Sequence, residues 1–254
     1  VKRRLELTVP GTPEEVWDAI ATTEGQSAWA FPAEIGEHEV SIHRSPFGPD
    51  VTGPVTASER PRRFAYEEPG SSDVPVLAVE FLVEARDHGT CVVRVVTAFA
   101  DAGEEWEELL DGVTEGWRMS LLILRAYLTH FAGRSSTTVE ATVDTGRSDR
   151  TAVAAALFGE LGLAGLAAGD AFRTSPSAPP LAGTVEYASP GYVLLRVDDP
   201  HPALYAISAF PMATPTVSLN VVGHLYDGAE AGVAERWQQW LSLAGGPVQP
   251  SGAG

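Results

Sequence analysis

Six histidines, one cysteine and one lysine are the side chains of this 254-residue chain best suited to metal binding or covalent catalysis. None of His38, His43, His88, His130, His201 and His224 stands four residues from another, the spacing that would pair ligands on a helix. His38 and His43 are five apart in a strand-like run, so alternation sends them to opposite faces and away from a shared zinc or iron. Cys91 sits among valines in "TCVVRVV", where a thiol is an inert core group rather than a nucleophile. As the sole cysteine it excludes an internal disulfide and a cysteine-based zinc cluster, and it fits a reducing compartment. Lys2 is the only lysine, which excludes Schiff-base or P-loop lysine chemistry downstream of it. No Gly-x-Ser-x-Gly elbow occurs, and "ELGLAGLAAG" lacks the spacing of a dinucleotide turn. Glu104, Glu105, Glu107 and Glu108 have the chemistry of a metal or acid–base cluster. They also crowd the start of a helix, where the dipole favours negative charge, and a solvated helix start is the expected reading. The residues offer no catalytic set, no metal site and no cofactor site.

Charge narrows the partners. A formal net charge of −17 argues against nucleic acid, whose phosphates need clustered Lys and Arg, and equally against anionic lipid. The opening "VKRRLELTVPGTPEEV" lacks the apolar centre of a signal peptide. The run from Thr151 to Phe172 approaches membrane-span length but carries Glu160 and several glycines, so it is expected to form one or two helices of a soluble domain. A cytoplasmic protein with no membrane and no nucleic-acid partner is the expectation.

The elements come next. In "RRLELTV", Leu5, Leu7 and Val9 alternate with Arg4, Glu6 and Thr8, the pattern of a half-buried strand. "PGTPEEVWDAIAT" starts a helix, with Thr12 and Glu15 forming a capping box and Pro13 at the first helical position. From Glu34 to Phe99 strand follows strand. Phe64 and Tyr66 share one face, and Leu77, Val79, Phe81 and Val83 point inward against Glu80 and Glu84. Asp101 and Glu104 suit the cap of a closing helix. Its Trp106, Leu110, Val113, Trp117, Leu121, Leu124, Leu128 and Phe131 then form one apolar stripe ending near Gly133. The boundary between two domains, 1–134 and 135–254, falls in "GRSST". Beyond it strand, helix, strands and terminal helix return in shortened form, with Gly183 answering Gly53 and Val185 answering Val55. A one-sided helix at the end of a sheet is expected to close a curved sheet over a cavity.

Several of these motifs occur in a familiar order. Thr12 to Trp17, Pro61 to Arg63, Gly89–Thr90 and Gly116–Trp117 make residues 1–133 resemble the SRPBCC or START-like (Bet v 1-like) superfamily. The nearest branch is that of activators of the heat-shock-protein ATPase. "TTEGQSAWAF" lacks that branch's Lys-Trp-Trp segment. The resemblance implies an α+β helix-grip fold, in which a curved antiparallel sheet is wrapped around the long C-terminal helix, with residues 135–254 a degenerate second copy. It implies an apolar pocket between sheet and helix; alternation and helical spacing then assign its walls to Tyr66, Val79, Phe81, Trp117, Leu121 and Leu124, with His43 as a polar contact and Trp29 as a lid. The expected function is non-catalytic binding of a small hydrophobic or aromatic molecule. A co-chaperone acting on a chaperone protein is one alternative; a polyketide cyclase or aromatase, with Tyr66 and His43 as acid–base groups, is another.

Overall fold

The structure is a computed structural model that describes residues 2–71, 74–100, 103–211, 215–226, 228 and 231–245, with Glu104 and Pro211 described in backbone only. The chain divides into two compact units, Val1–Ser136 and Thr137–Gly254.

The first unit opens with strand β1 (Lys2–Pro10), whose alternating leucines turn inward as their spacing requires. Helix α1 (Pro13–Ala21) starts on the capping box: Thr12 N donates to Glu15 Oε2 at 2.7 Å and Glu15 N donates to Thr12 Oγ1 at 3.3 Å. It buries Val16, Trp17, Ala19 and Ile20, and the short α2 (Thr23–Ser27) follows. Six strands come next: β2 (Ala33–Ile35), β3 (Glu39–Ile42), β4 (Val51–Glu59), β5 (Arg63–Glu68), β6 (Leu77–Arg86) and β7 (Thr90–Phe99). From β3 on each pairs with its predecessor antiparallel, and β1 closes onto β7, giving the order β1-β7-β6-β5-β4-β3-β2. A register shift between Val55 and Ala57 on β4 marks a bulge, a device that increases strand twist and bend.

Helix α3 (Glu107–His130) then packs on β1 and β7 and reaches β6, where Trp117 meets Phe81 edge-on at 5.2 Å between centroids. Its start differs from expectation. A 3-10 turn, Glu104–Trp106, precedes it, Trp106 takes the N-cap position with no side-chain bond, and Asp101 lies outside the described residues. The helix is also unequal along its length. From Glu107 to Gly116 every residue except Leu110 is exposed or half-buried, whereas Leu121, Ile123, Leu124, Ala126, Tyr127 and Leu128 are buried.

In the second unit β8 (Thr137–Asp144) leads to α4 (Arg150–Leu161), capped by Asp149, which accepts from Ala152 N at 3.0 Å. The run expected to give one or two helices gives this one. Gly162 ends it in the left-handed region at φ 76°, and the rest turns into the short β9 (Ala171–Arg173). Strands β10 (Ala182–Ser189), β11 (Tyr192–Asp199), β12 (Ala203–Pro211) and β13 (Val217–Leu225) and helix α5 (Val233–Ala244) complete the unit. The sheet order, β8-β13-β12-β11-β10-β9, repeats that of the first unit with one strand fewer. Trp237, Trp240 and Leu241 of α5 are buried in its core with Leu195, Ile207 and Val221. Among the described residues no helix is long and apolar enough to cross a membrane.

Candidate functional site

The space between sheet and α3 in the first unit is defined by β5, β6 and β7. Antiparallel register sets Phe64 opposite Phe81 and Tyr66 opposite Val79, and then Phe81 opposite Val95 and Val79 opposite Thr97. Directly opposed residues point to the same side of a sheet, so these side chains line the face that Trp117 touches. Phe64 also meets Trp17 of α1 edge-on at 6.1 Å and Tyr66 at 6.0 Å. An aromatic cluster thus runs from α1 across β5.

Tyr66, Val79, Phe81, Leu121 and Leu124 are all buried, and Trp117 is half-buried over Phe81. Two of the residues expected beside them lie elsewhere. His43 follows the inward Ile42 and therefore turns out: it is exposed, its Nδ1 lies 3.1 Å from Asp50 Oδ2, and its Nε2 lies 3.8 Å from Glu34 Oε1. Those carboxylates raise its pKa, Asp50 through its hydrogen bond most of all. Trp29 is wholly buried, and its Nε1 donates to the Ala19 carbonyl at 2.7 Å, which fixes the ring beneath α1. A lid has to move, and this ring is fastened. Ser120 donates to Gly116 O of its own helix at 3.1 Å.

Residue types alone do not disclose the polar part of this interior. The Tyr66 hydroxyl is buried with no hydrogen-bond partner. Burial raises its pKa well above the usual phenol range, with the nearby Glu68 carboxylate adding to the effect and Arg44 opposing it. Glu68, two residues along on the same strand face, is itself buried and accepts from the Arg44 guanidinium. Arg44 reaches in from the segment after β3, where its backbone N–H donates to Asp50 Oδ1 at 2.9 Å. A strand reading shows Glu68 sharing the face of Phe64 and Tyr66. It cannot show that the hydroxyl goes unanswered, because that depends on every neighbour in space.

Neither of two depressions among the described residues is lined by Phe81, Trp117, Leu121 or Leu124. One, of about 200 Å³, is bordered by Tyr66 and Val79 and, from the opposite side of the first sheet, by Arg63, Ala65, Glu80 and Val96. The other, of about 10 Å³, is lined by Leu181, His201 and Tyr205 among others in the second unit. No group of three or more His, Cys, Asp and Glu side chains among the described residues is arranged to hold a metal ion.

Strand order and closing helix define the class of the first unit: an α+β helix-grip fold, an antiparallel sheet with a long C-terminal helix packed on it. No family model matches the chain, and no curated protein does. Similar solved structures include protein MLL2253 from Mesorhizobium loti, at 17% identity and a TM-score of 0.47, covering 52% of this chain and 98% of that one. The Aha1 dimer from Colwellia psychrerythraea is 15% identical with a TM-score of 0.44, over 52% of this chain and 99% of that one. The di-domain ARO/CYC BexL from the BE-7585A biosynthetic pathway covers 96% of this chain and 91% of its own, at 12% identity and a TM-score of 0.46. At these identities and scores nothing said of those proteins passes to this chain.

Proposed function

We propose that the first unit binds a small hydrophobic or aromatic molecule, without chemical turnover, between its sheet and α3. The observation that carries this reading is the Tyr66 hydroxyl, buried on an aromatic face and left without a partner. An orphaned buried hydroxyl is unfavourable by about 1–3 kcal/mol, and interiors rarely keep one unless something outside the chain answers it. Apolar walls with a few placed polar groups are the usual make-up of a small-molecule pocket. Residues Glu107–Gly116 form the part of the wall least held by packing, and entry is assigned to that half of α3. Burial keeps the Tyr66 hydroxyl neutral and Arg44 engages the Glu68 carboxylate, which supports a role in holding a ligand.

Fluorescence titration with the neutral probe N-phenyl-1-naphthylamine tests the proposal. The expected result is saturable enhancement at one site, weakened about tenfold or more by Trp117→Ala. Absence of saturable binding to the wild-type protein would overturn it.

A further inference from the structure

The inner face of β5 reads Phe64, Tyr66, Glu68, so it passes within one strand from an aromatic ring to a neutral hydroxyl to a carboxylate. The carboxylate is occupied, because Arg44 donates to it. Both charges lie close enough to act on the Tyr66 hydroxyl, yet neither forms a hydrogen bond with it. The hydroxyl therefore has a proton to give and meets no acceptor. A buried donor in this position selects for a ligand atom that accepts one hydrogen bond. The neighbouring carboxylate then selects among acceptors. A ligand anion would place like charge near Glu68 in surroundings too dry to screen it. A pure hydrocarbon would leave the hydroxyl as it is. A neutral oxygen, phenolic or ketonic, satisfies both conditions.

Resting on the binding reading above, we infer that the site selects aromatic molecules bearing a neutral phenol or ketone oxygen, which accepts from the Tyr66 hydroxyl, over aromatic hydrocarbons and aromatic carboxylates. Tyr66 and Glu68 thereby act as specificity-determining residues: the first rewards the oxygen, the second turns away its ionised form. The logic is that of a site built to hydrogen-bond its ligand, which rejects the analogue lacking that atom more sharply than an apolar wall rejects a change of size.

Displacement of bound N-phenyl-1-naphthylamine by naphthalene, 2-naphthol, 2-acetylnaphthalene and 2-naphthoate at pH 7 decides the matter. In the full-length wild-type chain the naphthol and the ketone are expected to displace the probe about tenfold more tightly than naphthalene, with naphthoate no better than naphthalene. Tyr66→Phe keeps the ring and should bring all three neutral compounds to the same affinity. Glu68→Gln removes the opposing charge and should improve naphthoate relative to naphthalene. Thermal melts of each variant identify any that has failed to fold, and Tyr66→Phe is expected to melt no lower than wild type. If the probe binds but naphthol and naphthalene compete equally, or if their difference survives in folded Tyr66→Phe, the inference on ligand class is overturned while the binding reading stands. If the probe does not bind wild type at all, the binding reading falls and this inference falls with it.

Discussion

The strand pair β4–β5 of the first unit and the pair β10–β11 of the second share one backbone device and carry different side chains on it. In both, a glycine in the first strand lets the second approach closely: an added Cβ would sit 1.8 Å from Glu67 O at Gly53 and 2.0 Å from Arg196 O at Gly183. In both, the residue two positions on is a valine, and the register slips directly after it, at Val55/Ala57 and at Val185/Tyr187. Val55 faces Tyr66, and Val185 faces Leu195. Counting from those pairs, the inward positions held by Phe64, Tyr66 and Glu68 in the first unit hold Val193, Leu195 and Val197 in the second, all buried.

The second sheet forms with an aliphatic face where the first has a hydroxyl and a carboxylate, so this strand order does not require the polar groups. The closing helices differ in the same sense. The inward tyrosine of the second unit, Tyr205, lies 5.7 Å ring to ring from Trp237 of α5, whose indole lowers the pKa that burial raises. The inward tyrosine of the first has no such partner from α3. The difference lies at the closing helix and not in the presence of unanswered groups, since the second unit also buries the Tyr192 hydroxyl and the His224 imidazole without a partner.

The contrast can be broken most forcefully at the two closing helices. Trp237→Ala is expected to destabilise the protein by about 3–5 kcal/mol, since it empties a buried ring site packed against Tyr205. Trp117→Ala, at a half-buried ring, should remove only roughly 2 kcal/mol. Equal losses in urea unfolding would mean that α3 grips its sheet as firmly as α5 does.

Next in size is the response to acid. His224 of β13 is buried, and burial lowers its pKa to about 4. The unfolded chain binds a proton there near pH 6.5 and the folded chain does not. Stability is therefore full above that pH and falls by roughly 3 kcal/mol as the pH approaches 4. His224→Leu should flatten that slope. His43 in the first unit shifts the other way, so its small contribution is present below its unfolded pKa and is lost as pH rises through its raised folded value. NMR titration should place the two imidazoles on opposite sides of the ordinary histidine value; a His224 that titrates normally would refute its burial.

Smaller effects sharpen the likeness instead. Gly53→Ala and Gly183→Ala should each cost about 1–3 kcal/mol and by similar amounts, because the obstructing atom is a backbone oxygen in both units. A tolerated substitution at either glycine would show that the two strand pairs are not equivalent. Smallest, and opposite in sign, are the tyrosines. Without ligand, Tyr66→Phe should gain roughly 1 kcal/mol by removing an unanswered hydroxyl, and Tyr205→Phe should lose about as much by removing a hydroxyl on which the Trp237 indole acts. The same sign in both thermal melts would erase the distinction between the interiors.

Much of this architecture is legible in the sequence where a short-range rule governs. The Thr12–Glu15 box starts α1 because both its hydrogen bonds are local. The inward set Leu77, Val79, Phe81 and Val83 follows from period-two alternation alone, and the buried α5 residues from helical spacing. Prediction fails where a residue's fate is decided at long range or by a change of phase. His43 stands one position past the inward Ile42, and that single step carries it to the surface beside Glu34 and Asp50. Trp29 is held by a carbonyl ten residues back. The start of α3 is misjudged because its acidic run suits a helix N-terminus anywhere from residue 101 to 107. Tyr66 is identifiable as a wall residue, but its empty hydroxyl and the grip of Arg44 on Glu68 belong to the assembled fold.

The loosely packed half of α3 is tied to the first strand by an ionic contact, Arg3 Nε to Asp111 Oδ1 at 2.7 Å, between a half-buried guanidinium and an exposed carboxylate. An attraction of that kind is blunted by dissolved electrolyte, whose screening distance shrinks from about 10 Å at 0.1 M to about 3 Å at 1 M. If the first unit binds as proposed, ionic strength would act as a slack-adjuster on this half of the helix, quickening the arrival and departure of a guest while the apolar grip deeper in stays as it was.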